Sequence, residues 1–298
     1  MKKVGVKVSA AVVAVIVAFF SLVYPIQKVS ANVNKALLYY IYDANGNFKS
    51  SYFLRKVETL TASNERSVIG NDSRMGSFNK GICKITFTDK ATNESSYGTG
   101  FVVDEHTIAT AAHCLYSKSA SDSRKSSSIV LDKIVFVDNR NHVELQITSS
   151  DIKAAHIPFI YTTGSGADYA LITVNTDLSD RAVFNLGYPM DSMSTSDISV
   201  TCTGFPGEKN DINSHYMMAG RGNVEMMSDE LLYHSVDTSS GQSGSPLYVT
   251  TSYGGNTYYT VIGMQVMKPI DDGSAPFLNR ATRMTTNVLH FYKNNPNL

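Results

Sequence analysis

The sequence predicts an all-β protein, and three observations carry that expectation. Short runs rich in Val, Ile, Tyr and Thr recur from about residue 82 onward, at 82–88, 99–103, 129–137, 169–174, 198–205, 231–236 and 258–266. β-Branched and aromatic side chains suit a pleated, half-buried surface. Clusters of Gly, Asn, Asp and Ser separate the runs, as turns do. Only the C-terminal end reads as a helix, so the strands are not joined by helical crossovers, and barrels or sandwiches are expected in place of βαβ units.

Taken in order, the chain opens with Lys2, Lys3 and Lys7 ahead of an apolar run over residues 8–24. Val29-Ser30-Ala31 then supplies the small residues of a signal-peptidase site, which predicts a signal peptide over 1–31 and a secreted, extracellular protein. An uncleaved anchor is the alternative, and the run is at the short end for crossing a bilayer. Residues 32–66 are polar, with Tyr39, Tyr40, Tyr42 and Tyr52 scattered among Asn, Ser and Lys. They read as a propeptide that ends at Asn64-Glu65-Arg66, directly before Ser67-Val68-Ile69-Gly70, or else as an extension that stays attached. The strand-like runs follow within 67–298, interrupted by a Ser-rich stretch at 117–128 expected to be an exposed loop. The terminal helix is expected at about 286–295. Thr285 or Thr286 can cap it, and Val288, Leu289, Phe291 and Tyr292 form its apolar face.

The 298 residues, 43% hydrophobic and 17% charged, suffice for a sizeable core. The formal net charge of zero hides an asymmetry. Residues 1–66 carry nine Lys/Arg and three Asp/Glu, leaving 17 basic and 23 acidic residues in the rest. Phosphate binding needs a positive footprint, so an acidic body argues against a nucleic-acid partner. Cys83, Cys114 and Cys202 allow at most one disulfide, whose pairing the spacing leaves open. No Cys/His cluster has zinc spacing and no acidic loop identifies a calcium site, so neither a metal nor a cofactor is expected.

Three segments carry the chemistry. His113 sits in Thr110-Ala111-Ala112-His113-Cys114, Asp168 in Ala167-Asp168-Tyr169-Ala170-Leu171-Ile172, and Ser243 in Gly241-Gln242-Ser243-Gly244-Ser245-Pro246. A serine hydroxyl becomes a useful nucleophile when an imidazole takes its proton, and a buried carboxylate fixes the imidazole tautomer. The order His, Asp, Ser in these contexts implies such a triad. Asp151 and Asp177 also lie in the interval, but an apolar strand follows Asp168 and would carry its carboxylate into a buried edge. The backbone amides of Gly241 and Ser243 are the expected donors to the oxyanion, and Gly at 241 leaves the backbone open to a substrate carbonyl.

These residues resemble the chymotrypsin-fold serine peptidases and, within them, the bacterial glutamyl endopeptidases of Bacillus and staphylococcal type. The likeness spans about residues 67–298. It includes Gly98-Thr99-Gly100-Phe101, Thr201-Cys202-Thr203-Gly204-Phe205-Pro206-Gly207 and Asn279-Arg280-Ala281-Thr282-Arg283. The resemblance implies two six-stranded antiparallel β-barrels, divided near 180–195, with the active site in the cleft between them. It also implies activation by a protease that cleaves near Arg66. The expected protein is a monomer acting on protein or peptide substrates. In the family, enzymes that cut after Glu hold the substrate carboxylate with a Thr or Ser five residues before the nucleophile and a His on a later strand. Thr238 matches the first, while Gln265 stands at the second, where a charge is missing. The α-amino group of a freed Ser67 or Lys268 could supply one. Cleavage after Glu is the leading expectation. A trypsin-like or narrowly specific protease, or a member that binds a surface protein with little general proteolysis, is the alternative.

Overall fold

The computed structural model describes residues 37–42, 48–54, 67–68 and 80–293, except 90–91, 118–126, 159–160, 162–167, 183, 188, 190–194, 196–197, 254–255 and 268–276. The expected signal peptide, the Arg66 cleavage site and Lys268 lie outside the described residues. The strands, in chain order, are β1 (Leu37–Tyr42), β2 (Phe48–Leu54), β3 (Ser67–Val68), β4 (Ile82–Asp89), β5 (Ser95–Asp104) and β6 (Thr107–Thr110). Then come β7 (Tyr116–Ser117), β8 (Ser127–Val137), β9 (Val143–Thr148), β10 (Ile152–His156), β11 (Ala170–Val174) and β12 (Asn185–Leu186). The last six are β13 (Ser199–Gly204), β14 (Met218–Met227), β15 (Leu231–His234), β16 (Pro246–Tyr253), β17 (Asn256–Met267) and β18 (Asn279–Arg283). One α-helix, α1 (Thr286–Lys293), follows.

These strands make two sheets. The first runs β10-β11-β6-β5-β4-β8, with β7 and β9 both on β8. The second runs β16-β13-β14-β15-β18-β17, and pairing of β17 back onto β16 closes it into a six-stranded barrel. A closed barrel has no edge strand to protect. The first sheet is curled, and no pairing joins β9 to β10 among the described residues. The all-β class expected from the sequence is the fold observed, as one closed six-stranded barrel and one curled half-barrel sheet in place of two closed barrels.

The centre of the first sheet is buried on both faces, which is why residues 101–103, 134–137 and 170–174 read as near-continuous hydrophobic runs, while its outer strands β9 and β10 are half exposed. Cys83, Ile85, Val102, Ile108, Ile134, Phe136, Ala170 and Ile172 fill its inner side. Their neighbours in sequence, Ile82, Phe101, Val103, Val135 and Leu171, point the other way and pack with Phe205, Met217, Tyr248, Val261 and Met264 of the second barrel. Side chains alternate along a strand, so one sheet supplies both cores. Edge-on packing of Phe101 on Phe184, with ring centroids 5.6 Å apart, belongs to the layer between the sheets. A third cluster, including Val200, Cys202, Val224, Leu232, Leu247 and Ile262, fills the closed barrel.

Thr285 caps α1, its Oγ1 accepting the Val288 N–H at 3.3 Å. Val288 and Leu289 bury against the inter-sheet core, each contributing about 2 kcal/mol. Phe291 packs edge-on against Tyr169 at 5.2 Å.

All three cysteines are free and buried, so the single disulfide that the count allowed is not formed. Burial pushes the Cys83 thiol pKa up. Within the stretch read as a propeptide, β1 and β2 form an antiparallel hairpin, Leu37 opposite Leu54 and Tyr39 opposite Tyr52, joined to the second sheet where Tyr42 pairs with Leu186. The sequence reading assigned no strands there.

Candidate active site

His113 lies on a short 3-10 turn, Ala112–Cys114, that β6 delivers at its end. The flanking Ala111, Ala112 and Cys114 are buried, while the imidazole keeps 34% of its surface exposed. Asp168 stands immediately before β11, which pairs with β6. That pairing brings together residues 55 apart in the chain. Asp168 grips His113 twice: Oδ2 accepts from Nδ1 at 2.9 Å, and Oδ1 accepts the His113 backbone N–H at 3.0 Å. With Nδ1 committed to a carboxylate, Nε2 is the ring atom left to accept a proton. Burial opposes a charge on the ring, but the fields of neighbouring Cys114 and Asp168, with the Asp168 hydrogen bond, outweigh it and raise the His113 pKa well above its ordinary value. The second barrel holds Asp168 in turn, because Thr282 on β18 donates its hydroxyl to the Asp168 carbonyl at 2.9 Å. Neither Asp151 nor Asp177 shares this position: Asp151 accepts from Thr148, and Asp177 from the Ser179 N–H.

Ser243 sits on a tight loop between β15 and β16. Ser245 N–H donates to Gln242 O at 3.0 Å, and Gln242 N–H to Ser239 O at 3.2 Å. Gly241 and Gly244 adopt φ of +87° and +86°, a region costly for other residues. A Cβ at Gly244 would stand 2.1 Å from Thr99 O, and one at Gly241 2.4 Å from the Tyr97 ring. The loop is therefore pressed against β5 of the other sheet, where Thr99 contributes three groups. Its N–H donates to Ser243 O at 2.8 Å, its Oγ1 donates to Gly241 O at 2.9 Å, and its carbonyl accepts from Thr110 Oγ1 at 2.8 Å. Thr110 ends β6 just before the His113 turn, so Thr99 ties the serine loop to the histidine turn. Cys114 Sγ lies 3.9 Å from the Ser243 carbonyl, across the space that Gly98 leaves open. Among the described residues the Gly241 and Ser243 amides donate to no backbone carbonyl.

Behind this loop runs β17. Gly244 N–H donates to Gln265 O at 2.7 Å and Gln265 N–H to Ser245 O at 2.9 Å. The Gln265 side chain, 3% exposed, reaches Thr238: Nε2 donates to Thr238 Oγ1 at 3.1 Å and to Met267 O at 3.1 Å. Thr238 and Gln265, which the sequence analysis placed together, thus do meet. His234 completes the group, with Nε2 2.7 Å from Gln265 Oε1. The histidine sits on β15, fully buried, and burial lowers its pKa to about 4, a fall that the Gln265 hydrogen bond offsets in part. Ser67, one suggested source of positive charge, pairs with Ala219 on β14, and β15 and β18 stand between β14 and β17.

The loop that follows β13 supports the serine loop from its other side. Gly207 N–H donates to Ser240 O at 2.7 Å, and Glu208 accepts from the Ser239 hydroxyl. Lys84, wholly buried on β4, crosses from the first sheet to this loop. Its ammonium donates to Ser214 O at 2.7 Å and to Asp211 O, and stands 4.1 Å from the centre of the Tyr97 ring. Tyr97 itself donates to Asn210 O at 2.9 Å. Sequence reasoning missed Thr99, Thr282, His234 and Lys84. Their partners Gly241, Asp168, Gln265 and Asp211 are 142, 114, 31 and 127 residues away in the chain, and although Thr99 and Thr282 lie in segments singled out above, nothing local marks these contacts.

Three comparisons with known proteins bear on the family and the fold. The family model for the trypsin-like peptidase domain matches residues 98–254, more than half of the chain. A glutamyl endopeptidase of Bacillus licheniformis is 23% identical over 235 residues, covering 72% of this chain and 70% of that protein. Among solved structures, a Glu endopeptidase in complex with MPD superposes with a TM-score of 0.57 at 19% identity, covering 76% of this chain and 94% of its own. A thermostable serine protease, AL20, from an extremophilic microorganism gives a TM-score of 0.52 at 12% identity, covering 73% and 97%.

Proposed function

The chain belongs to the trypsin-like peptidase family and is a serine endopeptidase, and from that premise we propose that it acts through Ser243, His113 and Asp168. The observation that carries the assignment is the pair of hydrogen bonds that the His113 ring and backbone N–H groups donate to the Asp168 carboxylate. It leaves Nε2 as the base. In the proposed reaction His113 Nε2 takes the Ser243 hydroxyl proton as Oγ attacks the peptide carbonyl, giving a tetrahedral oxyanion. The Gly241 and Ser243 amides stabilise that oxyanion, each donor contributing about 3–4 kcal/mol to the transition state. His113 then passes the proton to the leaving amine, and a water attacks the acyl-enzyme by the same route in reverse. Asp168 holds the tautomer and favours the imidazolium as it forms.

Thr238 and Gln265 are proposed to line the pocket for the side chain preceding the scissile bond. Two relatives carry the name of a Glu-cleaving enzyme, so Glu is the precedent against which this pocket is judged. Secretion through a signal peptide over 1–31, and activation by cleavage near Arg66, complete the proposal. The relation to a glutamyl endopeptidase and the Ser67-Val68-Ile69-Gly70 sequence support them. Replacing Ser243 with Ala tests the assignment: peptide hydrolysis should vanish while the melting temperature stays within a degree or two. Undiminished hydrolysis would refute it.

A further inference from the structure

We infer that the pocket beside Ser243 selects a side chain ending in a carboxamide, Gln or Asn, before the scissile bond, in place of the Glu of the named relatives. The inference rests on the serine endopeptidase reading above, with Thr238 and Gln265 lining that pocket.

The orientation of the Gln265 amide follows from its neighbours. Met267 O is a carbonyl and can only accept, so the amide nitrogen faces it, and the second N–H goes to Thr238 Oγ1. Both donors of Gln265 are therefore spent within the protein. A glutamine amide can donate to a substrate, but here its hydrogens are used within the protein. Oε1 faces His234 Nε2, which must then carry the imidazole hydrogen. His234 Nδ1 is buried without a partner. A proton there would sit against no acceptor, and burial holds the ring neutral. The resemblance assigns an imidazole to position 265 in enzymes that cut after Glu. Here that position holds an uncharged amide, and the imidazole stands behind it, also uncharged.

What remains for a substrate is one donor and one acceptor. The Thr238 oxygen receives the Gln265 N–H, so its own O–H can donate outward. Gln265 Oε1 accepts one hydrogen bond from His234 and keeps a lone pair. A carboxamide is the complement of that pair: its oxygen accepts from Thr238 and its NH2 donates to Gln265. A carboxylate accepts from Thr238 but meets the Gln265 oxygen with a second oxygen, and among the described residues no cation is hydrogen-bonded to Gln265 or Thr238 to offset its charge. Arg280, opposite Met267 on β18, directs its guanidinium to Met267 Sδ at 3.9 Å and stands 5.4 Å from the centre of the Tyr233 ring. The residue before Thr238, Asp237, is itself an acid.

The test uses the full chain, activated by immobilised trypsin at Arg66 and then freed of it. Fluorogenic peptides free of Lys and Arg should differ only at the residue before the cut: Gln, Asn, Glu, Asp or Ala. At pH 7.5 the kcat/KM for Gln or Asn should exceed that for Glu by about tenfold or more, because a site built for a hydrogen-bonding group rejects one that leaves its polar atoms mispaired. Gln265→His should move the ratio toward Glu, and Thr238→Val should slow the carboxamide peptide more than the Ala peptide. If wild-type enzyme cuts Glu as well as or better than Gln and Asn, the specificity is overturned while the endopeptidase reading stands. If no peptide is cut while a fluorophosphonate still labels Ser243, the specificity is overturned and the nucleophile assignment stands; if Ser243 is not labelled either, the assignment of Ser243 fails and the specificity falls with it. The wild-type ranking decides even where a variant does not fold.

Discussion

At His113 two effects oppose each other, and their balance sets the working pH. Burial disfavours the imidazolium, while Cys114 and Asp168 favour it more strongly, so the pKa is raised. The base must be neutral to accept the serine proton. Activity is therefore absent below the raised pKa and appears as pH climbs through it. The acid limb of kcat/KM should lie above the ordinary histidine value of about 6.5; a limb below 6 would contradict the assignment. Asp168→Asn should cut kcat by about ten-thousandfold, since the amide no longer fixes the tautomer. Steady-state kinetics measure both. At this scale the sequence was informative where chemistry is local. Ser243 between glycines, His113 before Cys114 and Asp168 before an apolar strand were all legible. The partners Thr99 and Thr282 were not, because a threonine within a strand looks the same whether or not its hydroxyl reaches another barrel.

Among the elements, β5 is the plate against which the serine loop is fixed. Thr99→Val preserves shape but leaves the Gly241 carbonyl without its donor, which costs about 1–3 kcal/mol when buried. The expected outcome is a fall in kcat of about tenfold or more with little change in KM, and recovery with Thr99→Ser; equal losses in both variants would argue that only packing matters. The Lys84 crossing gives a second prediction. Its folded pKa is lowered to about 8 by burial, against 10.5 for the free side chain. Between those values the unfolded chain binds the extra proton, so this group makes stability rise with pH. The stability difference between wild type and Lys84→Met should shift in favour of wild type from pH 8 to 10.5. A difference flat across that window would refute it. Strand legibility follows the same physics. β4, β8, β13 and β17 are dense in Val, Ile, Tyr and Thr and were read from sequence. β14 (MAGRGNVEMM) and β18 (NRATR) were not, since their Gly, Asn and Arg residues become strand-like only through partners: β18 is buried throughout, between β15 and β17.

For the molecule as a whole, the proposed site depends on the meeting of two sheets. The first contributes His113 and Asp168, the second Ser243, and Thr99, Lys84 and Thr282 cross between them. Disturbing a crossing should affect catalysis more than stability: Thr282→Val is expected to lower kcat severalfold while the melting temperature moves by a few degrees. The precursor should be inactive until cleavage near Arg66, and equal activity before and after cleavage would oppose the propeptide reading. The all-β class was legible from turn-separated strands together with the motifs in their order. Closure of the second barrel by β16 and β17 was not, because it depends on a register fixed only in three dimensions. The central claim, that Ser243 is the nucleophile of this endopeptidase, is tested most directly by labelling the activated chain with a fluorophosphonate and locating the adduct by mass spectrometry. One adduct per chain is expected, on Ser243, formed in step with the loss of peptide hydrolysis. An adduct on another serine, or hydrolysis that persists after Ser243 is fully labelled, would contradict it.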